Sequence, residues 1–231
     1  MLINNTAIDW GKEWIIRSDA RNESDDSSVW DARSEDYAMR KDMSDYAKAF
    51  LAGLDLAPGD TVFDMGSGTG ALAIPLAEMG CRVVCGDFSP GMRAALRKRA
   101  EEAGVADAIS IFAMSWEDDW QTAGVAPKSV DIAVASRSVM VHDLQSALTK
   151  IETIARKQVA ITIPTRFGPR AEREIGEMLY GLPYLPDSIY AVNILFEMGR
   201  NPDVSYIGSC KDTEDGGKRL IRWAFIRWNV E

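Results

Sequence analysis

Between residues 61 and 163 the chain alternates short apolar runs with stretches of helical periodicity, and few folds accept that rhythm. The runs are Thr61–Asp64, Arg82–Asp87, Ile109–Met114, Asp131–Ser136 and Val159–Ile163; the periodic stretches are 70–79, 90–103 and 143–156. The runs are mainly apolar rather than alternately polar, the pattern of strands buried on both faces of a parallel sheet. Strand–helix–strand repeats of this length predict a doubly wound α/β domain. Ser89 and Pro90 supply an N-cap and a first-turn proline for the second helix.

The flanks read differently. Helical spacing returns at Pro169–Tyr180 and Asp187–Met198, followed by two strand-like runs, Val204–Ser209 and Leu220–Trp228, across the turn-rich CKDTEDGGK. They predict an antiparallel hairpin closing a mostly parallel, seven-stranded sheet. Before the first strand, the polar DARNESDDSS (19–28) reads as a loop between Trp10, Trp14 and Trp30. Apolar positions Tyr37, Met43, Tyr46, Ala47, Phe50, Leu51 and Leu54 predict one helical stretch over 35–56. The expected organisation is a helical lid segment (1–56) on an α/β unit (57–231) carrying an insert at 167–198, effectively one domain.

Charge and cysteine usage narrow the partners. The 231 residues carry a formal net charge of −9, which argues against a large nucleic-acid footprint, because such binding rests on Lys and Arg at phosphates. The RKR run of Arg97–Arg99 reads as a solvated helix face. No apolar run is long enough to span a membrane, and the first residues have neither the basic start nor the apolar centre of a signal peptide. A cytoplasmic protein, monomer or homodimer, with no membrane partner is expected. Cys81 and Cys85 lie too far apart on one strand to pair, so these and Cys210 read as core thiols in a reducing compartment. The single histidine and the absence of Cys/His clusters predict no metal.

The chemistry is concentrated in VFDMGSGTGALAIPLA (62–77). Gly66, Gly68 and Ala71 fit a loose dinucleotide fingerprint, and glycines there let backbone approach a ligand at a helix N-terminus. Asp64, two residues before the first glycine, would repel a pyrophosphate and attract an ammonium group. Asp87 ends the second strand, placed to accept hydrogen bonds from a ribose diol. One acid for an amine and one for a ribose suggest S-adenosylmethionine.

VFDMGSGTG followed by CGDFSPGM resembles the first two cofactor motifs of class I S-adenosylmethionine-dependent methyltransferases, over roughly residues 30–165. The hairpin is similar to the reversed last strand of that Rossmann-like methyltransferase fold. The resemblance implies that Asp64, Gly66, Ser67, Gly68, Gly70, Asp87 and Phe88 hold the cofactor, released as S-adenosylhomocysteine, with Asp87 on the ribose. Many members carry an acid just after the third strand. Here FAMSWEDDW offers Ser115, the Trp116 backbone and ring, or Glu117 for adenine. Trp116 and Trp120 read equally well as plugs of the sheet edge.

Beyond the fourth strand lie Ser136, Arg137, Ser138, His142 and Asp143, of which Arg137 is assigned to the cofactor and His142 is the candidate base. Asp143 reads better as a helix cap. Trp30 and Tyr37 could form a cofactor lid with Arg33, although Tyr37 fits the core face of its helix equally. In the insert, Arg166, Arg170, Tyr184, Tyr190 and Asn193 are candidates for the acceptor cavity, with Tyr190, Ile194 and Leu195 reading as core. The expected activity is methylation of a small-molecule acceptor. The alternatives are a non-catalytic cofactor-binding sensor or assembly protein, and an NAD(P)-dependent oxidoreductase.

Overall fold

The computed structural model describes residues 8–21, 27–38, 43–168, 187–212 and 217–230. Helices α1 (Trp10–Arg21), α2 (Ser27–Ala38) and α3 (Asp45–Ala52) precede the alternating region. That region runs β1 (Thr61–Met65), α4 (Ala73–Glu78), β2 (Arg82–Asp87), α5 (Pro90–Glu102), β3 (Ile109–Ala113), β4 (Val130–Ser136), α6 (Leu144–Ile154) and β5 (Ala155–Pro164). Helix α7 (Asp187–Glu197) and strands β6 (Asp203–Asp212) and β7 (Lys218–Asn229) follow.

The seven strands lie in the order β3-β2-β1-β4-β5-β7-β6. β1 to β5 are parallel, and β7 runs antiparallel to both β5 and β6. The expected doubly wound sheet with its C-terminal hairpin is therefore the observed one. The chain winds outward from β1 to β3 and returns to β4, so the strand order reverses between β1 and β4, where open sheets of this kind bind ligands.

Period-two alternation sends Phe63 and Met65 to one face and Val62 to the other. On the first face they join Trp14, Leu144, Leu148, Ile151 and Ile194 of α1, α6 and α7. On the second, Val62, Val83 and Ile132 pack on Phe50, Leu76 and Leu96 of α3, α4 and α5. Tyr190, Ile194 and Leu195 are buried as expected. Among the described residues no helix is long and apolar enough to cross a membrane.

The structure departs from the expectations in four places. The single stretch over 35–56 is two helices, because Ser44 accepts a hydrogen bond from the Ala47 amide (3.2 Å) and starts α3 afresh. Of the loop expected over 19–28, residues 19–21 belong to α1 and 27–28 to α2, while 22–26 lie outside the described residues. β5 begins at Ala155, directly after α6, and its polar start hid it from the apolar count. There Arg156 and Lys157 pair with Asp131 (3.0 and 3.3 Å), and Lys157 also reaches Asp60 at 2.5 Å. Cys81 and Cys85 are buried thiols, whereas Cys210 is exposed on β6 and is no core residue. The helix expected over Pro169–Tyr180 lies outside the described residues.

Candidate functional site

The tip of β1 carries Asp64 into the interior with only 2% of its surface exposed. Burial, reinforced by the charge of Asp87, pushes its carboxyl pKa up to about 7. Its Oδ1 makes no hydrogen bond with any described residue. Unsatisfied buried oxygens are costly. A cationic donor arriving at Asp64 would relieve that cost and return the carboxyl to its ionised form.

The turn after Asp64 is shaped by what lies behind it. A Cβ on Gly66 would stand 2.3 Å from Ser138 Cβ, and one on Gly70 would stand 2.3 Å from Leu96 Cδ1. Those two glycines let the turn seat on its neighbours. Gly68, at φ +54°, has only Met92 Sδ at 4.0 Å in the direction of a Cβ. That side of the turn is open, and it is where a ligand can approach backbone. Arg99 braces the turn from behind, donating to the Thr69 carbonyl (2.6 Å) and hydroxyl (3.2 Å). The RKR run is thus not wholly solvated: Arg97 and Lys98 are exposed, while Arg99 is half-buried against the turn.

Asp87 lies opposite. Its Oδ2 accepts from the Gly68 amide (2.8 Å) and its Oδ1 from the Ser89 amide (2.9 Å). Burial raises its pKa, opposed by those two amides and by Arg93. Phe88 follows, half-buried.

A third wall comes from the ends of β3 and β4. Trp116 donates its indole N–H to the Ser138 carbonyl (2.7 Å), and Trp120 donates to the Ser115 carbonyl (2.8 Å). The two rings pack 5.3 Å apart, with Trp120 also against Phe63. Lys150 of α6 donates to the carbonyls of Trp116 (2.6 Å) and Asp118 (2.7 Å), pinning this loop. The Ser115 amide is turned to Asp118 Oδ2 (2.7 Å).

At the end of β4, Arg137 has φ +61°, strained for a residue with a side chain. Its amide donates to Thr162 Oγ1 (3.0 Å) and its guanidinium lies 4.3 Å over the Tyr46 ring. The Tyr46 hydroxyl bonds with Thr162 (2.6 Å) and Ser136 (2.9 Å), and burial raises its pKa against the pull of Arg137. The helical stripe gave no sign of that polar role for Tyr46.

His142 stands apart. Its ring is 62% exposed, with Nε2 2.8 Å from Asp19 on α1. Asp143 caps α6, accepting from the Ser146 amide (2.9 Å) and hydroxyl (2.7 Å). α1 is held on the segment between β4 and α6 by the Trp14 indole on the Val141 carbonyl (2.8 Å), and on α7 by the Arg17–Asp187 pair (3.2 Å). Both tryptophans of α1 meet Tyr190 edge-on and form no exposed patch. A cleft of about 520 Å³ between α1 and α6, lined by Asp9, Lys12, Gln145 and Ser146 among others, includes no residue of the glycine turn.

The structure therefore brings Asp64, Gly66, Ser67, Gly68, Gly70 and Asp87 to one place, with Ser115, Trp116 and Arg137 on neighbouring strand ends. The side chains of Tyr37 and Arg33, and all of Arg170 and Tyr184, lie outside the described residues. Arg166 stacks on Phe167, and Asn193 donates to its own helix at Ile189. Among the described residues no cluster of His, Cys, Asp or Glu could hold a metal ion.

A family model for a methyltransferase domain matches residues 62–158, from the glycine turn through the start of β5. Residues 62–158 form a class I S-adenosylmethionine-dependent methyltransferase domain. The dinucleotide reading of the glycines falls with this match. An uncharacterised protein of Haemophilus influenzae is 29% identical over 75% of this chain and 61% of its own length. Among solved structures, the putative methyltransferase bound to the Trm112 activator of Haloferax volcanii superposes on the fold with a TM-score of 0.64. It is 17% identical, covering 89% of this chain and 96% of that one. The magnesium protoporphyrin IX methyltransferase of Synechocystis, solved with bound S-adenosylhomocysteine, gives 0.56 at 17% identity, covering 96% and 94%. Other relatives are named for demethylmenaquinone, ribosomal protein L11 and ribosomal RNA as acceptors. The chain spans 61% of the length of the H. influenzae protein and 22% of the L11 enzyme of Mannheimia succiniciproducens.

The methyltransferase domain's cofactor fits the residues present. An orphaned buried carboxylate oxygen suits the amino group of S-adenosylmethionine, and the open side of Gly68 leaves room for its approach beside Asp87.

Proposed function

We propose that this chain transfers a methyl group from S-adenosylmethionine to a small-molecule acceptor. The observation that carries the reading is Asp64, buried, with no partner at Oδ1 among the described residues, and beside a turn that leaves Gly68 open. The bound cofactor supplies a methyl already activated on a sulfonium. The chain's contribution is then placement and exclusion of water. Asp64 takes the amino group, Asp87 the ribose hydroxyls, and the Ser115–Trp116 loop the adenine. Arg137, with its guanidinium held on Tyr46, faces the methionyl or acceptor end, next to Ser136 and Ser138.

The small-molecule acceptor is favoured by the net charge of −9 and by α1, which Trp14 holds on the segment after β4 and Arg17 holds on α7. A proton-accepting role for His142 has less support, because its exposed ring is held by Asp19 on the surface. Orientation without a protein base is the mechanism this geometry favours.

Two measurements test the proposal. Calorimetric titration with S-adenosylhomocysteine should show binding that weakens at least about tenfold in Asp87→Ala, as expected for lost hydrogen bonds to a charged acceptor. Unchanged affinity would remove the cofactor assignment. Incubation with methyl-labelled cofactor and separate small-molecule, protein and RNA fractions should label the first. Label confined to RNA or protein would overturn the acceptor class.

A further inference from the structure

One carboxylate outside the recognised motifs is tied to the ribose acid by an unbroken chain of hydrogen bonds. Asp31 lies on α2, in the N-terminal segment, and its Oδ1 accepts from the Ser89 hydroxyl (2.5 Å) and the Gly91 amide (2.9 Å). Ser89 is fully buried and is the N-cap of α5, its Oγ accepting from the Met92 amide (3.1 Å). The same residue's backbone N–H holds Asp87 Oδ1 at 2.9 Å. On the other side of Asp87, Arg93 donates to its carbonyl (2.7 Å) and Gly68 to Oδ2.

The approach of α2 is built for this contact. A Cβ on Gly91 would lie 3.0 Å from Asp31 Oδ1, 3.1 Å from Ser34 Oγ and 3.2 Å from Asp31 Cα. Any side chain there would press α2 away. The Ser34 hydroxyl donates to the Asp31 carbonyl (2.7 Å), fixing the backbone that presents the carboxylate. Ser89 has one hydroxyl proton, and Asp31 fixes where it points, leaving a lone pair for the Met92 amide. Accepting from both the Ser89 hydroxyl and the Gly91 amide, Asp31 pins the segment whose Ser89 amide donates to Asp87.

We infer that Asp31 is a positioning residue for cofactor binding, acting through Ser89 to set the carboxylate of Asp87 and coupling the docking of α2 to occupancy of the ribose site. The inference rests on the reading that Asp87 holds the cofactor ribose. Coupling of this kind is reciprocal: docking of α2 favours the cofactor, and the cofactor favours docking by the same factor.

The test is a double-mutant cycle on the full chain, titrated with S-adenosylhomocysteine. Asp31→Ala should weaken binding about tenfold, the scale of one charge-assisted hydrogen bond. Asp31→Asn, whose Oδ1 can still accept from Ser89 and Gly91, should restore most of it. In an Asp87→Ala background, Asp31→Ala should add almost nothing. Hydrogen exchange of the α2 amides should slow on ligand binding in the wild type and not in Asp31→Ala. Gly91→Ala, which displaces the carboxylate without removing it, should weaken binding in the same direction and covers the case in which Asp31→Ala does not fold. Unchanged affinity in both Asp31→Ala and Gly91→Ala, or a loss that persists in full without Asp87, overturns the inference. Unchanged affinity in Asp87→Ala alone instead removes the ribose assignment on which it rests.

Discussion

The Gly68 amide donates to Asp87 Oδ2 across 2.8 Å, so the glycine turn and the tip of the second strand are clamped on one carboxylate. The carboxylate of the first strand, Asp64, has no such partner at Oδ1 among the described residues. One acid is arranged in advance and the other is held in reserve, and the difference leads to distinct expectations for each.

Asp64 ties stability and binding to pH in opposite directions. Burial and the charge of Asp87 raise its folded-state pKa from the ordinary carboxylate range to about 7. A raised acid contributes stability that is fully present below its unfolded value and is lost as pH rises through the folded one. Thermal unfolding of the ligand-free protein should therefore show stability falling between pH 4 and pH 7, by a few kcal/mol at most. Asp64→Asn should flatten that slope and be the more stable protein at pH 8. The same variant should bind S-adenosylhomocysteine more weakly, and wild-type affinity should rise from pH 6 to pH 8 with proton release visible as buffer-dependent heats. A slope unchanged by the substitution would contradict the assignment.

Gly70 and Gly68 should separate folding from binding. An alanine at Gly70 places its Cβ 2.3 Å from Leu96 Cδ1 at φ +85°, so Gly70→Ala should cost about 2–4 kcal/mol in denaturant unfolding. Gly68→Ala meets only the strain of its φ, about 1–2 kcal/mol. It should fold and yet lose cofactor affinity, since the added methyl occupies the open side of the turn. Equal effects of the two substitutions on stability would refute this division.

Arg99→Ala should weaken S-adenosylhomocysteine binding several-fold while Arg97→Ala does not, because Arg99 alone of the pair donates to Thr69 in the turn. Calorimetry on both variants decides it, with matching affinities counting against the brace.

His142→Ala removes an exposed contact to Asp19. Such pairs contribute less than about 1 kcal/mol, so its unfolding midpoint and its affinity for S-adenosylhomocysteine should both stay near wild type. Labelling of the small-molecule fraction should persist. Its complete loss in this variant would restore the histidine as the base.

Much of the fold was legible because strands of a parallel sheet covered by helices are mainly apolar rather than alternating. Five such runs, with the hairpin after them, leave few topologies. The boundaries that escaped were the polar ones. Near its start β5 carries Arg156, Lys157 and Gln158, whose partners Asp131, Asp60 and Asp55 come from remote segments and leave no mark on an apolar count. Ser44 divides a helical stripe through a local cap.

The site divides along the same line. Sequence by itself predicted that Asp64 and the glycines share one strand tip, because a backbone that must turn sharply constrains the residues in immediate succession, and that Asp87 ends the next strand. Tertiary structure alone decided that Asp64 is buried with an orphaned oxygen, since its environment is assembled from segments remote in sequence. It also decided the roles of Arg99 on the turn, Tyr46 under Arg137, Lys150 behind Trp116 and Asp31 on Ser89. Each of these residues follows an ordinary helical pattern along its own element, and its function lies in a hydrogen bond or ring contact to another. Such contacts exist only once the helices are packed on the sheet.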